Sequence, residues 1–212
     1  MLQLHNIRAQ SAPLLICLLI VGTLQASVGQ AELADPTKRA LYLSETLLNQ
    51  TLKERLQSCA LGDFYPTDFS IAHRGAPLGY PEHSREGYVA AAEQGAGVIE
   101  CDVTFTQDLA LVCRHSQCDL ATSTNILQTP IAAKCSKPFR PANGQQPASA
   151  TCCTTDISLA EFKTLCARPD QSNKKAKTVA QYLAPLRSPV VSEPLACGTL
   201  MTHAQSIELI DA

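Results

Sequence analysis

Three stretches of this chain end apolar runs in ionisable side chains: Ser70-Ile71-Ala72-His73-Arg74-Gly75, Val98-Ile99-Glu100-Cys101-Asp102-Val103 and Leu111-Val112-Cys113-Arg114-His115. Glu100 and Asp102 are two apart, so on a strand both carboxylates leave from the same face. Two such groups facing inward repel each other unless a cation lies between them, and oxygen donors select a hard ion such as Mg²⁺ or Ca²⁺. Facing outward, they are an ordinary pair of solvated acids. His73 and His115 change charge near neutral pH and can serve as acid and base. Arg74 carries a planar fork matched to phosphate oxygens. Taken singly, each of these residues is commonplace. Together they supply the groups that metal-assisted cleavage of a phosphate diester needs.

The flanking elements place these groups. Residues 69–72 read as a first strand, 85–94 as an Ala-rich helix closed by Gly95, 98–105 as a second strand and 109–113 as a third. Strand, helix, strand in this order is the unit of a parallel sheet. Polar groups at the C-terminal ends of neighbouring strands lie where barrel enzymes keep their chemistry. Asp35 and Pro36 open an N-terminal helical segment (residues 32–66) as N-cap and first helical residue, with Leu41, Leu48, Leu52 and Leu56 at helical spacing and Gly62 as a stop. Those leucines predict a helix packed on the outside or bottom of the main domain, the alternative being a flexible stalk. The sequon Asn49-Gln50-Thr51 lies within it. Residues 128–157 are rich in Pro, Ala, Ser, Thr and Cys and read as an insertion stapled by disulfides. Beyond it, Ser158 with Glu161 forms a capping box, Thr178 caps a helix through Leu183, and Thr202 with Gln205 opens the last helix.

Residues 1–31 have the pattern of a secretory signal: Arg8 at the start, an apolar core over 14–21, and small residues at Ser27, Gly29 and Ala31. The core is well short of the roughly 20 residues a membrane-spanning helix needs. No stable membrane insertion is therefore expected once the signal is removed. Of the ten cysteines, Cys17 falls in the leader. The odd number left behind leaves at least one without an intramolecular partner. Their density predicts structural disulfides and a secreted or periplasmic location, whereas adjacent Cys152 and Cys153 suit tetrahedral zinc ligation poorly. A net charge of −2 argues against a nucleic-acid partner.

Read in order, His73-Arg74-Gly75, Pro81-Glu82-His83-Ser84, Gly95-Ala96, Glu100-x-Asp102-Val103, Thr106-x-Asp108, Leu111-Val112 and His115 resemble the signature of the glycerophosphodiester phosphodiesterases. The likeness runs through Asn125 and resumes at Ser158 to Phe162 and Cys197 to Ala204, so it covers most of residues 67–212. It implies a TIM-type (β/α)8 barrel that hydrolyses small glycerophosphodiesters to glycerol 3-phosphate and an alcohol with a divalent metal, Ca or Mg. It also implies His73 and His115 as the catalytic acid and base, Arg74 as the phosphate-binding residue, Glu100 and Asp102 as metal ligands, and Glu82 as a supporting residue.

Two departures stand out. The family's Asp after the second histidine is Ser116 here, and the family's further metal-binding Glu has no counterpart in the chain. Three strands are also too few to close an eight-stranded barrel. The expectation is an incomplete barrel, and the alternative is a truncated non-catalytic secreted fragment or pseudoenzyme. Phospholipases on related barrels fit the His-Arg-Gly and Pro-Glu-His-Ser motifs less well.

Overall fold

A computed structural model describes residues 44–59, 66–184 and 197–211. The proposed leader, the helix start at Asp35 and Pro36, Leu41 and the stop at Gly62 lie outside the described residues. The first described helix, α1, spans Gln50–Cys59 and buries none of its residues. Its cap is Asn49, whose side-chain oxygen accepts from the Leu52 amide at 3.0 Å. Leu48, Leu52 and Leu56 are exposed, so the predicted packing of this helix on the domain is not observed among the described residues.

Strand β1 (Thr67–Ala72), helix α2 (Arg85–Glu93) and strand β2 (Ala96–Ile99) form the expected unit, β1 and β2 pairing in parallel. Ser84 caps α2 by accepting from the Gly87 amide, and Gly95 follows its end with φ 84°. The two strands approach so closely that a Cβ at Gly97 would overlap the Thr67 carbonyl.

The strand expected over 98–105 is two strands. β2 stops at Ile99, and β3 (Val103–Phe105) pairs antiparallel with β4 (Leu111–Cys113). The connection from β3 to β4 explains the direction. A parallel return needs a crossover of a dozen or more residues, and only a tight turn is available. In that turn the Thr106 hydroxyl donates to Asp108 at 2.6 Å, the Thr106 amide donates to the Ala110 carbonyl at 3.0 Å, and Leu109 takes φ 64°. Glu100 and Asp102 therefore sit in the link between two sheets rather than on one strand. The Glu100 amide donates to the Ala72 carbonyl, and the Asp102 carbonyl accepts from the Arg114 amide at 2.9 Å.

Downstream come α3 (Leu120–Ser123), the hairpin β5 (Lys137–Arg140) with β6 (Ser149–Thr151), α4 (Leu159–Phe162), β7 (Cys166–Ala167), α5 (Val179–Tyr182), β8 (Gly198–Thr199) and α6 (His203–Ile210). β7 and β8 pair antiparallel. The capping boxes at Ser158 and Thr202 and the cap at Thr178 form as their sequences predict. The described strands thus make four two-stranded sheets in a mixed α/β chain.

The main core joins Val112, Leu120, Ile126, Ile157, Phe162, Ala167, Tyr182 and Leu200. Residues 128–157, read as a disulfide-stapled insertion, contribute Ala148, Cys152 and Ile157 to it. Disulfides Cys118–Cys153 and Cys135–Cys152 send the adjacent cysteines to separate partners, and Cys166–Cys197 and Cys101–Cys113 complete the set. Cys59, exposed and free, is the unpaired cysteine among the described residues. No described helix is long and apolar enough to cross a membrane.

Candidate active site

The site begins where β1 ends. Arg74 (φ 63°) and Gly75 (φ 91°) turn the chain in the left-handed region, and His83 adopts φ 55° across from them. A non-glycine residue in this region costs on the order of 1–3 kcal/mol, so the surroundings must hold it there. They do so reciprocally: the His83 amide donates to the Arg74 carbonyl at 3.1 Å, and the Arg74 amide donates to Glu100 Oε2 at 2.7 Å. At Gly75 a side chain would also press on Tyr88 and the Gly87 backbone.

Arg74 Nη1 donates to both Glu82 oxygens at 3.1 and 3.0 Å. Its Nε lies 3.9 Å from Asp102 Oδ2 and is buried without a hydrogen-bond partner. Part of the fork is thus held by Glu82, while Nε faces Asp102 without a hydrogen bond. Buried donors in folded proteins are rarely left unpaired.

His83 is fully buried, with Nε2 3.2 Å from Asp102 Oδ2 and Nδ1 3.0 Å from the Tyr88 hydroxyl. Burial first, and then the Arg114 charge, pushes its pKa down to about 4 against the opposing pull of Asp102. Burial, reinforced by the Glu100 charge, also pushes the Tyr88 phenol above its usual range, so it stays protonated. The contact to Asp102 is therefore a hydrogen bond from a neutral ring, not an ion pair. Tyr88 donates to Nδ1, and the Nε2 proton goes to Asp102.

The sign of the linkage follows. His83 takes up its proton near pH 6.5 in the unfolded chain but only near pH 4 in the folded one. Between these values the unfolded state binds more protons, so the contribution is intact above pH 6.5 and is lost as the pH falls towards 4. Metal-free protein should lose on the order of 3 kcal/mol of unfolding free energy across that window. Denaturant titrations at a series of pH values check this, and His83→Gln should flatten the profile. An unchanged profile would contradict the assignment of a neutral ring.

Arg114, also fully buried, follows β4 directly. Its Nε and Nη2 donate to Asp119 at 3.2 and 2.9 Å, and Nη1 donates to the Glu82 carbonyl at 3.2 Å. Asp119 Oδ2 also accepts from the Ser116 amide at 3.3 Å, so one carboxylate holds the side chain that precedes His115 and the backbone amide that follows it. The His115 ring is exposed, and one of its nitrogens lies within 4.8 Å of carboxylate oxygens from Glu82 and Asp170. These acids stand near the ring in place of the expected carboxylate at position 116. His73 is exposed at the first turn position after β1, and its ring makes no hydrogen bond or ion pair among the described residues.

The predicted residues are accordingly linked in a continuous path. His115 lies beside Glu82, Glu82 holds Arg74, and Arg74 contacts Glu100 and Asp102. His73 joins the path only through the backbone. Arg114, Asp119, Tyr88 and Asp170 are not singled out by the sequence, and His83 enters there only within the Pro81-Glu82-His83-Ser84 motif, without a role. The one signal for Arg114 is its place directly after the apolar run Leu111-Val112-Cys113, where the side chain must leave a strand end.

Side-chain atoms of His83, Glu100 and Asp102 lie within 4.8 Å of one another. The donor chemistry suits a hard cation. Glu100 commits Oε2 to the Arg74 amide and Asp102 commits Oδ2 to His83. Oε1 and Oδ1 have no hydrogen bond among the described residues. The cluster of Cys101, Cys113 and His203 offers no such set, because its cysteines form a disulfide.

The Glycerophosphoryl diester phosphodiesterase family matches over residues 73–202, a span holding His73, Arg74, Glu82, Glu100, Asp102 and His115. "Probable glycerophosphodiester phosphodiesterase 1" of Mycobacterium tuberculosis is 46% identical over 56 residues, 26% of this chain and 20% of that protein. Glycerophosphodiester phosphodiesterase GDPD6 of Arabidopsis thaliana is 30% identical over 82 residues, 39% of this chain and 20% of that protein. Among solved structures, a protein assigned as a glycerophosphoryl diester phosphodiesterase from Silicibacter pomeroyi DSS-3 overlaps 69% of this chain and 40% of its own, at 20% identity and a TM-score of 0.44. The matched segments span about a fifth of the length of these curated relatives. With the family match covering more than half of its residues, the chain belongs to the glycerophosphoryl diester phosphodiesterase family.

Proposed function

We propose that this protein is an exported, metal-dependent hydrolase that cleaves small glycerophosphodiesters to glycerol 3-phosphate and an alcohol, on a TIM-type barrel to which β1, α2 and β2 contribute a repeat. The observation that carries this reading is the convergence of Glu100 and Asp102 beside an arginine whose buried Nε faces Asp102 without a hydrogen bond. Four disulfides among the described residues are compatible with the exported location.

Glu100 and Asp102 hold a Mg²⁺ or Ca²⁺ ion, which when bound supplies charge neutralisation at a non-bridging phosphate oxygen. Arg74 donates from its free edge to the phosphate while Glu82 keeps the guanidinium from rotating away. Of His73 and His115, one takes the proton from the attacking oxygen and the other delivers a proton to the departing alkoxide. Both rings are exposed, as groups that must exchange protons with substrate and solvent require.

Following glycerophosphocholine by phosphorus NMR identifies the bond that breaks. Glycerol 3-phosphate and choline are expected. Phosphocholine and glycerol would refute the assigned cleavage.

A further inference from the structure

Resting on the metal-dependent reading above, we propose that His83 is a positioning residue: held by Tyr88, it donates to Asp102 Oδ2 and so presents Oδ1 of that carboxylate to the divalent ion. The nearness of His83 to Glu100 and Asp102 first suggests a third ligand, but its hydrogen bonds favour a supporting role. Both ring nitrogens are committed, Nδ1 to the Tyr88 hydroxyl at 3.0 Å and Nε2 to Asp102 at 3.2 Å. For Nε2 to ligate, the ring would have to take the other tautomer and give up its bond to Asp102, and the Tyr88 hydroxyl would have to turn from donor to acceptor. The His83 side chain is also fully buried, whereas that of Asp102 is part-exposed.

The surroundings hold the ring in place. The His83 backbone is kept at φ 55° by its amide bond to the Arg74 carbonyl, the next residue caps α2, and Tyr88, one turn into α2, is itself buried. The ring stands edge-on to Tyr88, with centroids 6.3 Å apart and planes at 84°. Histidine at this position thus ties the start of α2 to the link between β2 and β3. Hydrogen-bond partners of this kind set the orientation of a ligating carboxylate and typically contribute about 10–100-fold in metal affinity.

Mn²⁺ serves as the probe, its affinity measured by calorimetry and its ligands by electron spin echo on the loaded protein. His83→Leu, which cannot donate, should bind Mn²⁺ about 10–100-fold more weakly. His83→Gln, whose amide can reach Asp102, should recover most of that loss, and Tyr88→Phe should show a smaller loss than His83→Leu. The wild-type echo should lack a directly coordinated nitrogen. A merely structural role would lower thermal stability in the Leu and Gln variants alike without separating their affinities, and that outcome overturns the proposal. So does a strong nitrogen coupling, which would make His83 a ligand. If His83→Leu does not fold, equal Mn²⁺ affinity in Tyr88→Phe and wild type overturns it instead. Failure of wild type to bind Mn²⁺ would remove the underlying metal reading and this proposal with it, whereas normal binding unaffected by the variants removes this proposal alone.

Discussion

Replacing His73 or His115 by alanine should lower turnover by about 10²–10⁴-fold in each case, the usual cost of removing a general acid or base. The structure sharpens this expectation, because both rings are exposed and neither belongs to the core. Surface substitutions of this kind change stability by about 0.5 kcal/mol or less. The thermal midpoint should therefore stay in place while turnover collapses. His203, at the first position of α6 and 4.0 Å from a disulfide sulfur, provides the control and should be dispensable for chemistry. His5, in the proposed leader, should be dispensable as well. Single-turnover kinetics on the variants checks this, and near wild-type rates in either His73→Ala or His115→Ala would refute the roles assigned.

The largest effect on stability is expected at Arg114. Its guanidinium is wholly buried, and its partner Asp119 is 7% exposed. Arg114→Met would leave the Asp119 carboxylate inside without a counter-charge, which typically costs about 3–5 kcal/mol. It would also remove the donor that holds the Glu82 carbonyl. Arg114→Met combined with Asp119→Leu removes both charges and should recover much of the stability. Turnover should not return with it, because Asp119 also anchors the Ser116 amide beside His115. Denaturant unfolding of the single and double variants checks this. A loss below about 1 kcal/mol for Arg114→Met would show that the pair is not the anchor described.

Much of this site is legible in the sequence because its groups end apolar runs. His73, Arg74, Glu100, Asp102 and His115 each follow a strand, and strand character is written locally in β-branched and apolar residues. The same holds for the caps at Ser158, Thr178 and Thr202, whose chemistry acts over three residues. What failed was direction and continuity. An apolar run over 98–105 does not reveal that the chain leaves one sheet at Ile99 and enters another at Val103. The tight turn at Thr106 to Leu109 could have shown that β4 must run antiparallel.

The core contacts of residues 128–157 and the exposure of Leu48, Leu52 and Leu56 lie beyond the sequence for a related reason. Spacing tells which faces are apolar, but not what covers them. The buried pair at Arg114 and the hydrogen bonds of His83 depend on contacts between distant segments. Only the fold brings Glu82 to Arg114 and His83 to Asp102.

The proposed function stands or falls on the ion. The most direct measurement is the rate of glycerol 3-phosphate release from glycerophosphocholine before and after exhaustive chelation, with Mg²⁺ or Ca²⁺ then added back. Activity should vanish on chelation and return with the ion in the wild type, and Asp102→Asn should need far more ion to recover. Undiminished release from thoroughly metal-free protein would contradict the account.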